Sequence, residues 1–154
     1  MAMLLGDVGG TNARMAIARN GSIDAGTVTR FKGDDFASFD DVVRQFMAEQ
    51  HQPNISSMCI AVAGPVSGGR ARLTNRDWSF DEDNLARLTD ADQVRLINDL
   101  SALGYSTPSL AGEQLGTLRA APVTTILDRK SGSAGMPRAM TYAVFCLKKM
   151  WSGV

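Results

Sequence analysis

The apolar positions of the first thirty residues fall into short runs separated by polar or glycine breaks. Runs of this kind predict three strands at residues 3–8, 13–19 and 25–31, which follow one another as a meander. Gly9 and Gly10 lie in the first break, and we expect them to close a hairpin in which glycine supplies a positive φ without strain. No helix is predicted after this pair. That argues against a Walker loop or a dinucleotide-binding fingerprint, because both need a strand that leads into a helix.

A helix is predicted after the meander, because the apolar positions change to helical spacing there. These positions are Phe39, Val42, Val43, Phe46 and Met47. Ser38 and Asp41 have the spacing of a capping box at the start of this helix, and Pro53 ends it. Residues 57–63 are apolar without a break, as a central strand buried on both faces would be, and a Gly-Pro pair follows them.

The remaining predicted elements alternate between strand and helix. They are a polar strand at 69–74, a helix opened by a second capping box at 79–82 (SFDE) and ending near 88, a strand at 94–97, and a helix from 100 that stops before Pro108. Strands that alternate with helices indicate an α/β fold with a mixed, mostly parallel sheet, and the three-strand meander forms its antiparallel edge.

The first hairpin carries a set of residues suited to phosphate. They are Gly6, Asp7, Gly9, Gly10, Thr11 and Asn12. Glycines let the backbone approach an anion closely, consecutive N–H groups can point into one concavity, and Thr11 and Asn12 add side-chain donors. A carboxylate beside an anion repels it unless a cation lies between, so Asp7 indicates a Mg²⁺ ion bound directly or through its waters. The alternative is a tight turn with an Asx-type hydrogen bond.

A second carboxylate, Asp99, is the candidate general base. It follows the carboxyl end of a predicted strand, which is the edge where open α/β sheets bind their ligands. A phosphoryl transfer to an alcohol needs a group that accepts the hydroxyl proton. The alternative is that Asp99 is the N-cap of the following helix.

Three arginines, Arg70, Arg72 and Arg76, are close enough in sequence to meet phosphate together, although a polar edge strand explains the first two equally well.

Four segments together resemble the bacterial glucokinases, which belong to the sugar kinase, actin and Hsp70 superfamily. The segments are GDVGGTNAR at residues 6–14, AVAGPV at 61–66, LTNRDW at 73–78 and LINDL at 96–100. The resemblance covers roughly residues 2–118 and implies a ribonuclease-H-like half-domain, which the sugar kinases use twice. A second glycine-rich loop for ATP and a Glu-Gly-Gly-His-like sugar segment, both expected from the resemblance, are not found in the 154 residues.

The resemblance implies an ATP-dependent kinase that phosphorylates glucose at its 6-hydroxyl in glycolysis, with ATP and Mg²⁺ at the first hairpin. It implies that Asp99 is the base, that Asn98 and Asn75 bind sugar hydroxyls, and that Pro65 neighbours the sugar. The Asn75 amide offers both donors and acceptors, which suits a sugar hydroxyl, and a turn residue before Ser79 explains Asn75 nearly as well. Homodimers are expected in the full-length family. Two alternatives stay open, namely a kinase for a different hexose and a non-catalytic half-domain that only binds a ligand or a partner.

Composition and charge exclude several other classes. The 154 residues are 44% hydrophobic and 21% charged, as in ordinary globular proteins, and a formal net charge of zero gives no argument for nucleic acid or an anionic membrane. Cys59 and Cys146 have no neighbouring histidine, which favours a reducing cytoplasm over a metal site or a disulfide framework. The N-terminus lacks the pattern of a signal peptide, and the apolar run at 139–147 is shorter than the ~20 residues that a membrane helix needs.

The charges also divide the chain near residue 121. Residues 1–121 hold 11 basic and 15 acidic residues, whereas residues 122–154 hold 5 basic and 1 acidic. The second part contains a linker-like stretch, SGSAGMP at 131–137, and has no clear amphipathic period. We therefore expect an N-terminal domain at 1–121 and an atypical, partly disordered tail at 122–154. The tail is explained either by truncation or an altered reading frame, or by genuine divergence.

Overall fold

The computed structural model describes residues 2–101, which form an α/β fold around a mixed sheet. The strands of this main sheet are β1 (Ala2–Val8), β2 (Asn12–Arg19), β3 (Ser22–Ile23), β4 (Thr29–Lys32), β5 (Ser57–Val62) and β9 (Gln93–Asn98). Their order across the sheet is β3-β2-β1-β5-β9, and β4 also pairs with β2. Strand β1 runs antiparallel to β2 and parallel to β5, which is parallel to β9. The predicted mixed sheet with an antiparallel meander at one edge is confirmed.

The third strand of the meander was predicted with the wrong bounds. Residues 25–31 begin with a 3-10 turn at Ala25–Thr27, which separates β3 from β4. The buried Thr27 hydroxyl accepts a hydrogen bond from the Ile17 N–H at 2.8 Å, and the Asp24 carboxylate accepts one from the Gly26 N–H at 3.2 Å. The Thr27 hydroxyl takes the place of a ladder bond that a continuous strand would make to β2, and the bond between Asp24 and Gly26 stabilises the turn itself.

Helix α1 (Phe39–Glu49) has the predicted start and the predicted core face. The Ser38 hydroxyl accepts from the Asp41 N–H at 3.3 Å and donates to the Asp41 carboxylate at 2.7 Å, which confirms the cap. The five apolar positions at helical spacing are all buried. The helix ends at Glu49, ahead of Pro53, and His51 and Gln52 continue the chain with positive φ angles of 61° and 52°.

A second, antiparallel sheet lies between β5 and the next helix, and the sequence predicted only one of its strands. Its strands are β6 (Val66–Ser67), β7 (Arg70–Arg72) and β8 (Ser79–Asp81), and helix α2 (Glu82–Thr89) follows. The prediction that Ser79 caps α2 is wrong, because Ser79 lies in β8. Asp81 is the N-cap, and its carboxylate accepts from the Asn84 N–H at 3.1 Å.

Both faces of the main sheet are buried. One face shares a core with α1 and α2, where the Phe39 ring lies 4.9 Å from Phe80 and 6.1 Å from Trp78 between centroids. The other face is lined by smaller buried side chains, including Cys59 and Ala61. Burial raises the pKa of the Cys59 thiol to about 12, so this cysteine is an inert core residue at neutral pH.

The last described element is the start of a helix at Asp99, which is described as far as Ser101. Three predictions therefore lie outside the described residues: the end of this helix before Pro108, the domain boundary at residue 121, and the tail at 122–154. Between residues 2 and 101 there is no helix with the length and apolar character needed to cross a bilayer.

Candidate active site

The glycine-rich loop closes the hairpin between β1 and β2, as predicted, but not through positive φ angles. The Gly9 N–H donates to the Asn12 carbonyl at 2.9 Å, and the Thr11 carbonyl accepts from the Gly33 N–H at 2.8 Å. Within residues 2–101 the glycines with positive φ are Gly21, Gly68 and Gly69. The prediction of positive φ in the hairpin is therefore wrong, and close approach of other groups explains the glycines instead.

Gly10 lies directly under Asn75. A Cβ atom at Gly10 would be 1.8 Å from the Asn75 Nδ2 atom, so the amide has room only because position 10 has no side chain. Next to Asn75, the Arg76 Nε atom donates to the Gly10 carbonyl at 3.2 Å. The predicted phosphate loop and the predicted sugar-binding loop are therefore in direct contact.

Gly6 and Gly9 meet different surroundings. Gly6 is buried, and a Cβ atom there would lie 2.5 Å from the Ile60 Cδ1 atom, so core packing accounts for this glycine. At Gly9 the nearest atom to an added Cβ is the Asn12 carbonyl oxygen at 3.8 Å, which is an ordinary contact. Among residues 2–101, therefore, no group fills the space above Gly9, and a ligand can approach the backbone there.

Asp7 and Arg14 are cross-strand neighbours at the base of the hairpin. The Arg14 Nη1 atom lies 3.4 Å from the Asp7 Oδ2 atom, and the Asp7 side chain is 13% exposed. Further along the same face, the Arg30 Nε atom donates to the Asn12 Oδ1 atom at 3.1 Å, which leaves the Asn12 NH₂ group to donate elsewhere. The hairpin thus combines one carboxylate with two guanidinium groups and an amide.

The Asp7 carboxylate fits a Mg²⁺ ion that is held mainly through water. Among residues 2–101 no group of three or more His, Cys, Asp or Glu side chains is placed to hold a metal. Mg²⁺ commonly keeps several waters and takes one or two protein carboxylates together with substrate phosphate oxygens. Asp7 can supply the protein's share of such a site, whereas a cage made of protein ligands alone is not present in this part of the chain.

Asn98 is largely committed to hydrogen bonds within the protein. Its Nδ2 atom donates to the Gly64 carbonyl at 2.8 Å, and its Oδ1 atom accepts from the N–H groups of Leu100 (3.0 Å) and Ser101 (3.4 Å). Asn98 is therefore the N-cap of the helix that begins at Asp99. One N–H of its amide remains for an outside acceptor.

Asp99 occupies the first position of the helix. The N-cap is its neighbour Asn98, so the alternative that Asp99 is the cap is wrong. Its Oδ1 atom accepts from the Leu100 N–H at 2.8 Å. The strand register aligns Asn98 with Val62 and Val62 with Val8, so Asp99 follows at the same sheet edge as the hairpin, two strands away. A strand spacing of about 4.8 Å separates the two backbones by roughly 10 Å.

An open cleft of about 590 Å³ lies beside the hairpin. It is lined by Pro65, Arg72, Leu73, Thr74, Asn75, Arg76 and Asp77. Pockets for small ligands span about 300–1,000 Å³, so the cleft has the size of a ligand site. The structure places two predicted substrate residues, Pro65 and Asn75, in one cleft and holds Asn98 to the residue that precedes Pro65.

The three arginines that could meet phosphate together are held in different ways. Arg70 and Arg72 lie in β7, the edge-strand alternative given for them from the sequence, and they pair with Asp81 and Asp77. Arg76 lies in the loop after β7 and reaches across to the hairpin, a contact that the sequence did not predict.

Comparison with known proteins identifies one family. The family model described as Glucokinase matches residues 4–131 of this chain. A glucokinase of Caulobacter sp. (strain K31) is 36% identical over 114 residues, which make up 73% of this chain and 35% of that protein. The chain thus spans about a third of the length of this relative.

Solved structures agree with the sequence comparison. The crystal structure of a glucokinase from an Antarctic psychrotroph matches with a TM-score of 0.62 at 31% identity, covering 73% of this chain and 37% of the other. A glucokinase from Balamuthia mandrillaris, solved in complex with glucose, matches with a TM-score of 0.52 at 25% identity, covering 70% of this chain and 32% of the other.

Proposed function

This chain belongs to the glucokinase family, and from that premise we propose that it carries the part of an ATP-dependent glucokinase site where the donor phosphate and the sugar meet. The observation that carries the proposal is the contact between the two loops, with Asn75 lying on Gly10. Phosphoryl transfer needs the reacting atoms within about 3–3.5 Å of each other. Two binding loops that touch, at the sheet edge that also bears Asp99, provide this proximity.

In this proposal the hairpin binds the phosphates of ATP. The loop N–H groups and the side chains of Thr11 and Asn12 donate hydrogen bonds to phosphate oxygens, and the guanidinium groups of Arg14 and Arg30 offset the phosphate charge. Asp7 would hold Mg²⁺ through its waters, and the ion when bound neutralises charge on the transferring phosphoryl group. Open space above Gly9 permits the close approach of the phosphates.

Glucose lies in the cleft on the other side of the contact. Asn75 and the remaining N–H of Asn98 hydrogen bond to sugar hydroxyls, and Pro65 packs at the rim of the same cleft. The Balamuthia relative was solved with glucose bound, which supports a hexose as the acceptor. Positioning of this kind supplies much of the catalysis in phosphoryl transfer.

Asp99 is the proposed general base. As the 6-hydroxyl oxygen forms a bond to the γ-phosphorus, Asp99 accepts the hydroxyl proton, and the bond between the γ-phosphorus and the bridging oxygen breaks to release ADP. A positioned base of this kind contributes on the order of 10²–10⁴-fold to the rate.

A coupled assay of ADP formation with glucose, mannose and fructose tests the proposal on the full chain. Asp99→Asn keeps the acceptor for the Leu100 N–H but removes the base, so we expect turnover to fall at least about 100-fold with an unchanged melting temperature. Asp92→Asn, at the opposite end of β9, is the matched control and should leave turnover unchanged. Turnover of Asp99→Asn near that of the control would show that Asp99 is not the base.

The chain's span of about a third of its relative's length supports a second candidate. In this candidate the 154 residues bind MgATP or glucose but do not complete turnover by themselves. Calorimetric titration with each ligand beside the coupled assay separates the two candidates. Binding without turnover favours the binding half-domain, whereas glucose-dependent turnover excludes it. A preference for mannose or fructose in the same assay would replace glucose as the substrate.

A further inference from the structure

Arg76 is held differently from the two other arginines of its segment. The side chains of Arg70 and Arg72 are 78% and 71% exposed and pair with Asp81 and Asp77 at the surface. The Arg76 side chain is 18% exposed and lies between the hairpin and the turn that follows β4. An exposed ion pair restricts the side-chain conformation only weakly, whereas a mostly buried guanidinium with several partners is confined to one geometry.

Four groups surround the Arg76 guanidinium. Its Nε atom donates to the Gly10 carbonyl at 3.2 Å, and its Nη2 atom pairs with the Asp34 carboxylate. Its Cζ atom lies 5.1 Å from the centroid of the Trp78 ring, and a Cβ atom on Gly33 would lie 2.8 Å from it. The guanidinium thus donates to two oxygen acceptors while it lies over an aromatic ring, an arrangement that lysine cannot reproduce.

The bond from Arg76 fixes the direction of a neighbouring N–H. In a trans peptide the C=O and N–H point in opposite directions, so the Gly10 carbonyl held by Arg76 aims the Thr11 N–H away from Arg76. Glycine has no Cβ to resist rotation of this peptide, so Gly10 alone would leave its orientation open. The Thr11 carbonyl is held as well, by the Gly33 N–H at 2.8 Å. Both peptide groups that flank Thr11 are therefore oriented from outside the loop.

We propose that Arg76 is a positioning residue of the donor site, which holds the Gly10–Thr11 peptide so that the Thr11 N–H donates to a phosphate oxygen of ATP. This inference rests on the proposed function, because it needs a phosphate at the hairpin. Arg76 follows Asn75 in the same loop, so the same guanidinium keeps the sugar-binding amide seated on Gly10. Loss of Arg76 weakens donor binding and leaves the base, Asp99, in place.

NMR titration of the ¹⁵N-labelled full chain with MgATP, together with calorimetry, tests this role. We expect the wild-type Thr11 amide signal to shift on addition of MgATP. Arg76→Gln should weaken MgATP binding roughly 10- to 100-fold, the loss expected for one hydrogen bond from a charged group, and should broaden the Thr11 signal in the unliganded chain. Arg76→Lys keeps the positive charge but lacks the planar set of N–H donors of a guanidinium, so it should recover only part of the MgATP affinity. Arg70→Ala removes an exposed arginine of the same segment that does not line the cleft, and it should bind as the wild type does.

Each result separates this role from the proposed function. A wild-type shift at Thr11 that Arg76→Gln retains with unchanged affinity overturns the role of Arg76 and leaves the donor site standing. A lower melting temperature with unchanged MgATP affinity shows a merely structural role and also overturns it. If MgATP shifts no hairpin signal in the wild type, the donor site is wrong and the role of Arg76 falls with it. Should Arg76→Gln fail to fold, Asp34→Ala removes the exposed partner of the guanidinium and should show a smaller loss of the same kind.

Discussion

The two walls of the site, the hairpin and the segment at residues 64–78, are fixed to the protein in different ways. The hairpin joins two strands of seven and eight residues in the main sheet. Its loop is tied by backbone hydrogen bonds, from Gly9 to Asn12 and from Gly33 to Thr11. Backbone bonds of this kind do not depend on the side chains at these positions, so the hairpin should keep its shape through most single substitutions.

The wall at residues 64–78 is held by short backbone pairings and, in addition, by individual side chains. It is built on strands of two and three residues, and two side-chain donors connect it to the rest of the site: Asn98 donates to the Gly64 carbonyl, and Arg76 donates to the Gly10 carbonyl. The shape of the proposed donor wall thus follows mainly from the main sheet, with Arg76 orienting one peptide of its loop, whereas the proposed acceptor wall depends more on a few polar contacts. Substitutions at the glycines of the two walls test this difference.

The largest effect is expected for Gly64→Ala. A Cβ atom at Gly64 would lie 2.4 Å from the Arg72 carbonyl oxygen, and a backbone atom cannot swing aside as a side chain can. Overpacking of this kind costs about 1–3 kcal/mol, and the displaced wall should lose glucose affinity while MgATP affinity changes little. Denaturant unfolding and calorimetry with each ligand measure both changes.

Gly9→Ala is the matched control on the hairpin wall. Within the part of the chain that the structure describes, an added Cβ meets nothing closer than 3.8 Å, so the free energy of unfolding should stay within about 0.5 kcal/mol of wild type. Any loss of MgATP affinity in Gly9→Ala then reports a clash with the ligand and not with the fold. Equal destabilisation by the two alanines would show that the walls do not differ in the way described.

An intermediate effect is expected for Gly10→Ala. The atoms that a Cβ would meet belong to the Asn75 amide, at 1.8 to 2.6 Å, and this flexible side chain can turn away while the backbone stays in place. Gly10→Ala should therefore fold normally and lose as much glucose affinity as Asn75→Ala does. The double variant should be no weaker than either single variant, because both remove the same contact. Additive losses in this cycle would contradict a shared contact.

The smallest effect concerns acid stability of the second sheet. The hydrogen bond from Arg70 is the main cause that holds the pKa of Asp81 below its ordinary value of 3.8. A carboxyl with a lowered folded pKa stabilises the protein above its unfolded pKa, and this contribution is lost as the pH falls below 3.8 through the folded value.

Asp81→Asn keeps a good helix N-cap but removes the charge. The variant should melt slightly below wild type at pH 7, and the difference should shrink as the pH falls below 3.8. Melting curves at a series of pH values on both sides of 3.8 check the expectation. A difference that does not change with pH would mean that the cap, and not the charge, is responsible.

The elements that sequence reasoning placed correctly have long, regular apolar spacing. Helix α1 was predicted because five apolar positions repeat at its period and Ser38 precedes them, and β5 because its apolar run is unbroken. The second sheet was mostly missed because strands of two or three residues are too short to show a period. Ser79 was mistaken for the cap of α2 because Ser79 and Asp81 are both good capping residues, and only the strand pairing of Ser79 decides between them.

For the candidate site, too, some features could be predicted from the sequence and others could not. The sequence was enough to predict a hairpin after the first strand and to place Asp99 at the carboxyl end of a later strand, because each motif directly follows its own apolar run. It did not decide between Asn98 and Asp99 as the helix cap, because both are favoured capping residues and they are adjacent in the sequence. It could not show that Arg76 reaches Gly10, because these residues are 66 positions apart and their contact depends on how the loop folds back.

Gly10 and Asn75 occupy one shared volume at the centre of the site. In evolutionary terms this makes them a pair: a lineage that gains a side chain at position 10 must shrink or redirect the one at position 75. Substitutions at these two positions are therefore expected to covary among related sequences, and a change at position 10 alone should mark a lineage whose sugar preference has changed.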